Sequence, residues 1–332
     1  MPTQVRMMHY SGESAPEDMW KITHDDLPEL EEGEVQLRLD WISIDPGMRG
    51  WTTNKRSYMP PVTPGDIMRS FGVGEVLDSR SDAFVPGDFV TGFTGVQSEA
   101  VLKAGGLSKI DTNLAPAHHY MSGLGWTGYT AYFGMMDIGQ PKAGQTVVVS
   151  AASGAVGSIA AQLARNEGAH VIGIAGGPEK TAYLRDTLKL AGVIDYKNEN
   201  IDDALRREAP NGIDLYFDNV GGETLDAVFR QINYKGTIVV CGGISQYGDM
   251  HAAEGPSEYL AMVMQSIRMQ GYTMRDYLDR IPEAFAALLK ARNEGKLVYR
   301  EHIVEGIENF PEAIDMLFSG ANHGKLMLKV GA

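Results

Sequence analysis

Cysteine, long apolar stretches and positive charge are all scarce in this chain of 332 residues. Its single cysteine, Cys241, excludes an intrachain disulfide and a cysteine-rich metal site, and it fits a reducing compartment. No stretch approaches the ~18 apolar residues of a membrane span, and residues 1–20 contain no apolar core of a secretory signal. The 43 acidic and 29 basic side chains leave a formal charge of −14, which argues against nucleic acid or an anionic membrane as the main partner. We therefore expect a cytoplasmic protein of about two domains.

Several catalytic motifs are also missing. The sequence has no Tyr-x-x-x-Lys pair, no His-Glu-x-x-His and no Gly-x-Ser-x-Gly. The histidines of the amino-terminal part lack the spacing of metal ligands, and the adjacent pair His118 and His119 is expected to point to opposite sides of a solvated loop. We therefore predict no metal site. Oxidation of a simple alcohol needs a metal or a general base to activate the alcohol oxygen, and the sequence offers neither. Hydride addition to an activated C=C bond needs only one or two hydrogen-bond donors for the enolate oxygen.

The pattern of the chain changes near residue 122. Residues 1–122 consist of short stretches such as 34–39, which alternates with period two, separated by Pro-Gly turns, and they predict a partly open β-barrel. Residues 123–300 alternate between helix and strand, which predicts a doubly wound parallel sheet and an α/β fold. Residues 301–332 add a helix at 310–319 and a strand at 324–330 that we expect to return to the first domain. The strands predicted for the second domain are 146–150, 170–175, 193–195, 214–218, 236–241 and 269–273, and its helices lie near 127–138, 155–167, 179–190, 201–208, 222–232, 256–267 and 281–294.

The clearest functional signal is the strand, turn and helix from 144 to 168. A β-branched run at 146–149 leads into small residues, and then apolar residues recur at helical spacing from Val156. Ala151, Gly154 and Gly157 leave room for a pyrophosphate on the helix amino terminus. This spacing alone also fits tight packing, but the second strand at 170–175 completes a βαβ unit and favours a dinucleotide site.

The tip of that second strand predicts which dinucleotide binds. An NAD site usually carries a carboxylate there, whereas this tip reads Ala175-Gly176-Gly177-Pro178. Glu179 belongs to the first turn of the next helix, where an acid is expected for dipole reasons. Lys180 is placed to meet a 2′-phosphate, although a solvated lysine at a helix end is the simpler alternative. We predict NADP(H).

Tyr247 is the best candidate for the donor to an enolate oxygen, because it lies in the loop that leaves the fifth strand of the parallel sheet. Packing over the cofactor, or a hydrogen bond to its ribose, is an equally weighted alternative. Tyr58 and Tyr272 are weaker candidates for the wall of the substrate pocket, and an exposed tyrosine without a role is the default for Tyr58.

The sequence resembles the zinc-independent medium-chain reductases of the leukotriene B4 12-hydroxydehydrogenase and prostaglandin reductase group. Within that group its motifs are most similar to those of bacterial NADPH-dependent curcumin reductases. The resemblance extends over nearly the whole chain. It is carried by Ile44-Asp45-Pro46, Met48-Arg49-Gly50, Thr130-Ala131-Tyr132-Phe133-Gly134, 137–142, 151–158, Glu179-Lys180, Asp195-Tyr196, 217–222, Cys241-Gly242, Ile244-Ser245-Gln246-Tyr247 and Gly320-Ala321-Asn322.

The resemblance implies a GroES-like domain around a Rossmann domain, a homodimer joined through the nucleotide domains, and reduction of the C=C bond of α,β-unsaturated ketones or aldehydes by NADPH. It also implies that Tyr247 holds the carbonyl or enolate oxygen of the substrate. The predicted substrate-binding residues are Arg49, Tyr58 and Tyr272. The predicted cofactor-binding residues are Thr130, Gly154, Ala155, Val156, Gly157, Lys180, Tyr196, Asn219, Cys241, Gly242, Gly243, Ile244, Ser245, Tyr247, Tyr272, Thr273, Met274 and Asn322.

The sequence departs from this group at three places that we expect near the substrate. Gly47 and His323 replace a tyrosine and a smaller or apolar residue, and Trp126-Thr127 replaces Met-Pro. The individual substrate therefore stays open. The alternatives are a zinc-independent quinone oxidoreductase, oxidation of an allylic hydroxyl with NADP⁺, and a non-catalytic NADPH-binding protein.

Overall fold

The structure, a computed structural model, describes residues 1–13, 18–55, 57–247 and 253–331. Its contacts divide the chain into one unit of Met1–Met121 with Glu301–Ala332 and a second unit of Ser122–Arg300. The strands, in chain order, are β1 Thr3–Met7, β2 Trp20–His24, β3 Glu34–Ser43, β4 Phe71–Ser79, β5 Phe89–Phe93, β6 Glu99–Lys103, β7 Leu107–Lys109, β8 Thr146–Val149, β9 His170–Ala175, β10 Gly192–Asp195, β11 Ile213–Asp218, β12 Ile232–Val240, β13 Arg268–Gly271, β14 Glu301–Glu305 and β15 Lys325–Lys329. The α-helices are α1 Met48–Trp51, α2 Trp126–Tyr132, α3 Ala155–Asn166, α4 Pro178–Ala182, α5 Ile201–Glu208, α6 Gly222–Phe229, α7 Ala261–Met264, α8 Ile281–Asn293 and α9 Phe310–Ser319.

The first unit is built on a sheet with the order β14-β15-β3-β4-β5-β7, in which β6 also pairs with β3. Within the part of the chain that the structure describes, the two end strands of this order, β14 and β7, do not pair with each other, so the sheet does not close into a complete barrel. The barrel is open, as the sequence predicts. The carboxyl-terminal strand β15 runs antiparallel to β3, with Met327 opposite Ser43. The core beside it contains Ile42, Leu328 and Phe310 of α9, all of which are buried.

The second unit is a six-stranded sheet with the order β10-β9-β8-β11-β12-β13, and every pairing in it is parallel. The chain first runs outward from β8 to β10 and then returns to β11, so the winding reverses between β8 and β11. Buried residues of successive strands, such as Val148, Ile172 and Tyr216, form its core. This is the predicted doubly wound α/β fold, and ligands of such sheets bind beyond the carboxyl ends of the strands near the reversal.

Two of the predicted helices are wrong in extent. The helix predicted at 256–267 is only α7, because Val263 and Met264 are 79% and 70% exposed and offer no buried stripe to hold a longer helix. The helix predicted at 222–232 ends at Phe229, because Ile232 is buried as the first residue of β12 and pairs with Ile213. The helices predicted at 127–138 and 179–190 begin as α2 and α4 and continue as π-helical segments.

The prediction for His118 and His119 is also wrong. They lie in a 3₁₀-helix, Ala117–Met121, whose successive side chains are about 120° apart rather than opposite. Their rings are 4.6 Å apart between centroids, and both residues are half-buried rather than solvated.

None of the helices in the described ranges has the length and apolar character needed to span a bilayer. The cytoplasmic location stays a prediction.

Candidate functional site

The turn after β8 and the first turn of α3 expose backbone rather than side chains. Ala151 adopts a left-handed φ of 47°, and Gly154 is extended at the start of α3. A Cβ atom at Gly157 would lie 2.3 Å from the carbonyl oxygen of Ala151, so the turn can approach the helix this closely only at a glycine. The first turn, with Ala155 and Val156, has no acidic residue, and its N–H groups lack partners within the helix. This surface fits a pyrophosphate.

Asp218, the last residue of β11, organises the neighbouring loop. Its Oδ1 accepts hydrogen bonds from the backbone N–H groups of Val220 and Gly221, both at 2.9 Å. The buried hydroxyl of Tyr216 donates to the same oxygen at 2.8 Å. Burial raises the pKa of Asp218 and outweighs these hydrogen bonds, which lower it. Sequence reasoning gave Asp218 no role of its own, because its donors, two backbone N–H groups and the Tyr216 hydroxyl, are brought together only by the fold.

Asn219 connects the segments that follow β8, β11 and β12, which are neighbouring strands in the parallel sheet. Its N–H donates to Ser150 Oγ at 2.9 Å, and its side-chain amide donates to the Ser150 carbonyl oxygen at 2.7 Å. Its own carbonyl oxygen accepts from the N–H of Ile244 at 3.0 Å, and Ser245 donates twice to the Val220 carbonyl oxygen next to it. The loop after β12 is therefore fixed to the turn after β8 through the loop after β11.

Tyr247 ends the 3₁₀ turn that follows β12 and folds back over its own loop. The Gly243 N–H donates to the Tyr247 hydroxyl at 3.4 Å, and a Cβ atom at Gly242 would lie 3.1 Å from that oxygen. Burial raises the pKa of Tyr247 above its usual value. The hydroxyl therefore keeps its proton at neutral pH and can donate a hydrogen bond, but it is a poor general base.

The tip of β9 has no carboxylate of its own, but one reaches it from β10. The Gly177 N–H donates to Asp195 Oδ1 at 2.8 Å, and Asp195 accepts two more hydrogen bonds within its own loop. Although burial raises the pKa of Asp195, these hydrogen bonds bring it below the usual value. A Cβ atom at Gly176 would lie 2.8 Å from the ring of Tyr196, so that ring packs directly over the strand tip.

Cations surround Lys180 beside this tip: a Cβ atom at Gly176 would lie 3.0 Å from Lys197 Cε, and both Lys197 and Arg300 act on the charge of Lys180. Burial and the positive charges of Lys197 and Arg300 lower the pKa of Lys180, while Glu179 raises it. Arg300 also forms an ion pair with Glu179, with 2.6 Å between Nη2 and Oε1. Repulsion of Lys180 by two other cations indicates a place where a bound anion would relieve the charge. Sequence reasoning found Lys180 but missed Lys197 and Arg300, which are distant from it along the chain.

Tyr272 connects the end of β13 to α2. Its hydroxyl donates to the Thr130 carbonyl oxygen at 2.6 Å, and the thiol of Cys241 is a further hydrogen-bonding neighbour. Burial raises the pKa of Cys241 to about 12, so the thiol stays protonated and unreactive. Thr273 caps the 3₁₀-helix that begins at Met274. The structure thus brings together Thr130, Cys241 and Tyr272.

The remaining candidates belong to the first unit. Arg49 lies over the ring of Phe318, 5.2 Å from its centroid, and Asn322 donates at 2.9 Å to a backbone carbonyl two residues on. A Cβ atom at Gly47 would lie 2.6 Å from the Tyr58 hydroxyl, so Gly47 leaves room for Tyr58. The roles of Arg49, Tyr58 and Asn322 toward a ligand stay predictions.

Comparison with known proteins identifies the family. A family model described as the N-terminal domain of oxidoreductase matches residues 5–110, and one described as zinc-binding dehydrogenase matches residues 155–291. A putative NADP-dependent oxidoreductase of Bacillus subtilis is 43% identical over 92% of this chain and 90% of its own. The NADPH-dependent curcumin reductase of Escherichia coli is 36% identical over 96% of this chain and 94% of its own.

This chain belongs to the medium-chain dehydrogenase/reductase family, in the group of the curcumin and prostaglandin reductases. The resemblance drawn from the sequence is thereby confirmed. A similar solved structure, CurA from Vibrio vulnificus in complex with NADPH, has a TM-score of 0.94 and 36% sequence identity over 99% of both chains. Tobacco has a relative named 2-alkenal reductase, NADP⁺-dependent, which is 38% identical over 84% of this chain and 82% of its own.

Proposed function

We propose that this protein is an NADPH-dependent reductase of the C=C bond of α,β-unsaturated ketones and aldehydes. The observation that carries the choice of NADPH is the cluster of Lys180, Lys197 and Arg300 beside a strand tip without its own carboxylate. A 2′-phosphate satisfies such a cluster, whereas a bare ribose hydroxyl does not. The names of the relatives that cover most of the chain support the same cofactor and the same substrate class.

The residues of the second unit fit NADPH along one edge of the sheet. Gly154 to Gly157 would hold the pyrophosphate, and the ring of Tyr196 with Lys180 would hold the phosphorylated ribose end. The loops fixed by Asp218 and Asn219 would hold the remainder, up to Tyr247. When bound, NADPH supplies the hydride that the β-carbon of the enone accepts.

Tyr247 would act on the substrate oxygen. Hydride addition at the β-carbon moves negative charge to the carbonyl oxygen, and the enolate needs a donor there. Because the pKa of Tyr247 is raised by burial, its hydroxyl is available as that donor. The same raised pKa argues against the alternative reaction, oxidation of an allylic hydroxyl with NADP⁺, which needs a proton acceptor.

We also propose that the protein is a homodimer joined through the second unit. β13 is the terminal strand in the order of the parallel sheet, and an end strand offers its free edge for pairing. The segment just before it exposes Tyr259, Leu260, Val263 and Met264. Light scattering should give twice the mass of the chain, and Val263→Glu should shift the mass toward one chain. A wild-type protein of one-chain mass at micromolar concentration would contradict this.

The proposed activity is tested by cofactor oxidation. Purified protein is supplied with NADPH or NADH and with a panel of acyclic enones, enals and quinones. Oxidation of NADPH with enones or enals, and much slower oxidation of NADH, is the expected result. Turnover of quinones alone would instead identify a quinone oxidoreductase. Tight NADPH binding without turnover of any member of the panel would leave a non-catalytic binding protein.

A further inference from the structure

We propose that His118, His119 and Glu301 form a divalent-metal site in the first unit, of a kind that suits Zn²⁺. One ligand atom from each of the three side chains lies within 4.8 Å of the other two. His118 Nε2 is 3.3 Å from a carboxylate oxygen of Glu301. Two ligands at bond lengths of about 2.0–2.1 Å in a tetrahedron are about 3.3 Å apart, so this pair already has the separation of zinc ligands.

The ligand types also favour zinc. Two imidazoles and one carboxylate are a ligand set found at zinc sites, and three protein ligands leave a fourth position for water. Both ligating elements are held by other contacts. The 3₁₀-helix is anchored by Tyr120, which is buried and donates to the Asp111 carbonyl oxygen at 2.7 Å. Glu301 is the first residue of β14, which pairs in register with β15.

The surroundings restrict the imidazoles without covering the site. Trp41 packs against His118 with 5.0 Å between ring centroids, and the rings of His118 and His119 meet at 80°. The side chains of His118 and Glu301 are 26% and 12% exposed, which leaves the site open to a small ion. A simple ion pair between His118 and Glu301 is the alternative. It would need one imidazole, whereas here a nitrogen of the second imidazole also lies within 4.8 Å of the other two ligand atoms.

An ion at this site would connect two parts of the first unit that are far apart in the sequence. The histidines directly precede the point where the chain leaves the first unit, after Met121, and Glu301 is the residue at which it returns. A bound ion would cross-link two segments of the first unit that are distant in sequence. Such a cross-link lowers the chain entropy of the unfolded state, so the ion should stabilise the first unit. None of its three residues is among those proposed to bind NADPH, and hydride transfer as proposed above does not use the ion.

The test uses the full chain, freed of any affinity tag and stripped with a chelator. Zn²⁺ is titrated against it by calorimetry and by competition with a chromogenic chelator, and Co²⁺ absorption reports the coordination geometry. We expect one Zn²⁺ per chain, a tetrahedral Co²⁺ spectrum, and a melting temperature that rises by several degrees with Zn²⁺. Because removal of an outer partner of a ligand already costs about 10–100-fold in metal affinity, His118→Ala, His119→Ala and Glu301→Gln should each weaken binding at least tenfold.

His170→Ala is the matched control, because His170 is exposed and lies in the second unit. It should leave the affinity and the shift in melting temperature unchanged. Glu301→Gln keeps the size of the side chain, so it tests the site even where a histidine variant fails to fold. Less than one Zn²⁺ per chain at micromolar metal, or equal affinity in wild type and Glu301→Gln, would overturn the proposal. Neither outcome depends on whether the protein reduces enones.

Discussion

Replacing Lys180 with alanine tests the cofactor site most specifically. The variant removes one ammonium from the cluster with Lys197 and Arg300 and leaves the pyrophosphate turn untouched. A charge-assisted hydrogen bond contributes about 1.5–3 kcal/mol, which corresponds to about 10–150-fold in the dissociation constant. Because two cations remain beside the phosphate, we expect a loss in the lower part of this range, about 10–30-fold for NADPH. NADH, which has no 2′-phosphate, should bind nearly as before.

The structure adds a prediction about the free protein. The pKa of Lys180 is lowered by burial and by its positive neighbours, so its charged form is disfavoured in the fold without a ligand. A cation whose pKa falls on folding destabilises the folded state at pH values below its usual pKa. Lys180→Ala should therefore melt at the same temperature as wild type, or slightly higher, at pH 7. Loss of affinity would then not reflect unfolding.

Fluorescence or calorimetric titrations with both cofactors, at low and at high salt, measure these effects. Lys142→Ala serves as the control, because it removes the same charge from an exposed position ahead of β8. It should change neither dissociation constant. Equal losses for NADPH and NADH in Lys180→Ala, or no loss for NADPH, would refute the assignment of the 2′-phosphate to this cluster.

Three further substitutions probe the same edge of the sheet. Gly157→Ala places a Cβ atom against the Ala151 carbonyl oxygen, so both cofactors should bind about tenfold or more weakly in titrations; unchanged affinity would mean that the turn is not the pyrophosphate site. Asp218→Asn disturbs the loops, so it should lower the free energy of unfolding by about 1–3 kcal/mol and weaken the binding of both cofactors. Asp214→Asn is its control, because it changes a hydrogen-bonded carboxylate near the opposite end of β11 and should affect stability alone. Tyr247→Phe should lower kcat far more than NADPH affinity in steady-state and binding measurements, and an equal fall in both would make Tyr247 a cofactor residue.

Local sequence signals predicted most of the second unit. The β-branched run of β8, the small residues after it and the helical spacing from Val156 are determined by neighbours in the chain, so the strand, turn and helix could be read directly. The missing carboxylate at the tip of β9 was likewise visible. The open barrel and the return of β15 to it were also predicted correctly.

Features that depend on tertiary contacts could not be predicted. Lys197 and Arg300 join Lys180 only through the fold, and Asp218 gains its role from backbone donors of a folded loop. The length of α7 depended on whether its apolar residues are buried, which periodicity does not show. The orientation of His118 depended on a 3₁₀-helix that the sequence pattern does not distinguish from a loop.

The central claim is that NADPH reduces the C=C bond of an enone, and isotope transfer tests it most directly. The protein is incubated with an acyclic enone and NADPH that carries deuterium at the transferable position, and the product is analysed by mass spectrometry and NMR. The account predicts a saturated ketone with one deuterium at the β-carbon for each NADPH oxidised. An allylic alcohol with deuterium at the carbonyl carbon, or an enone recovered unchanged while a quinone is reduced, would contradict it.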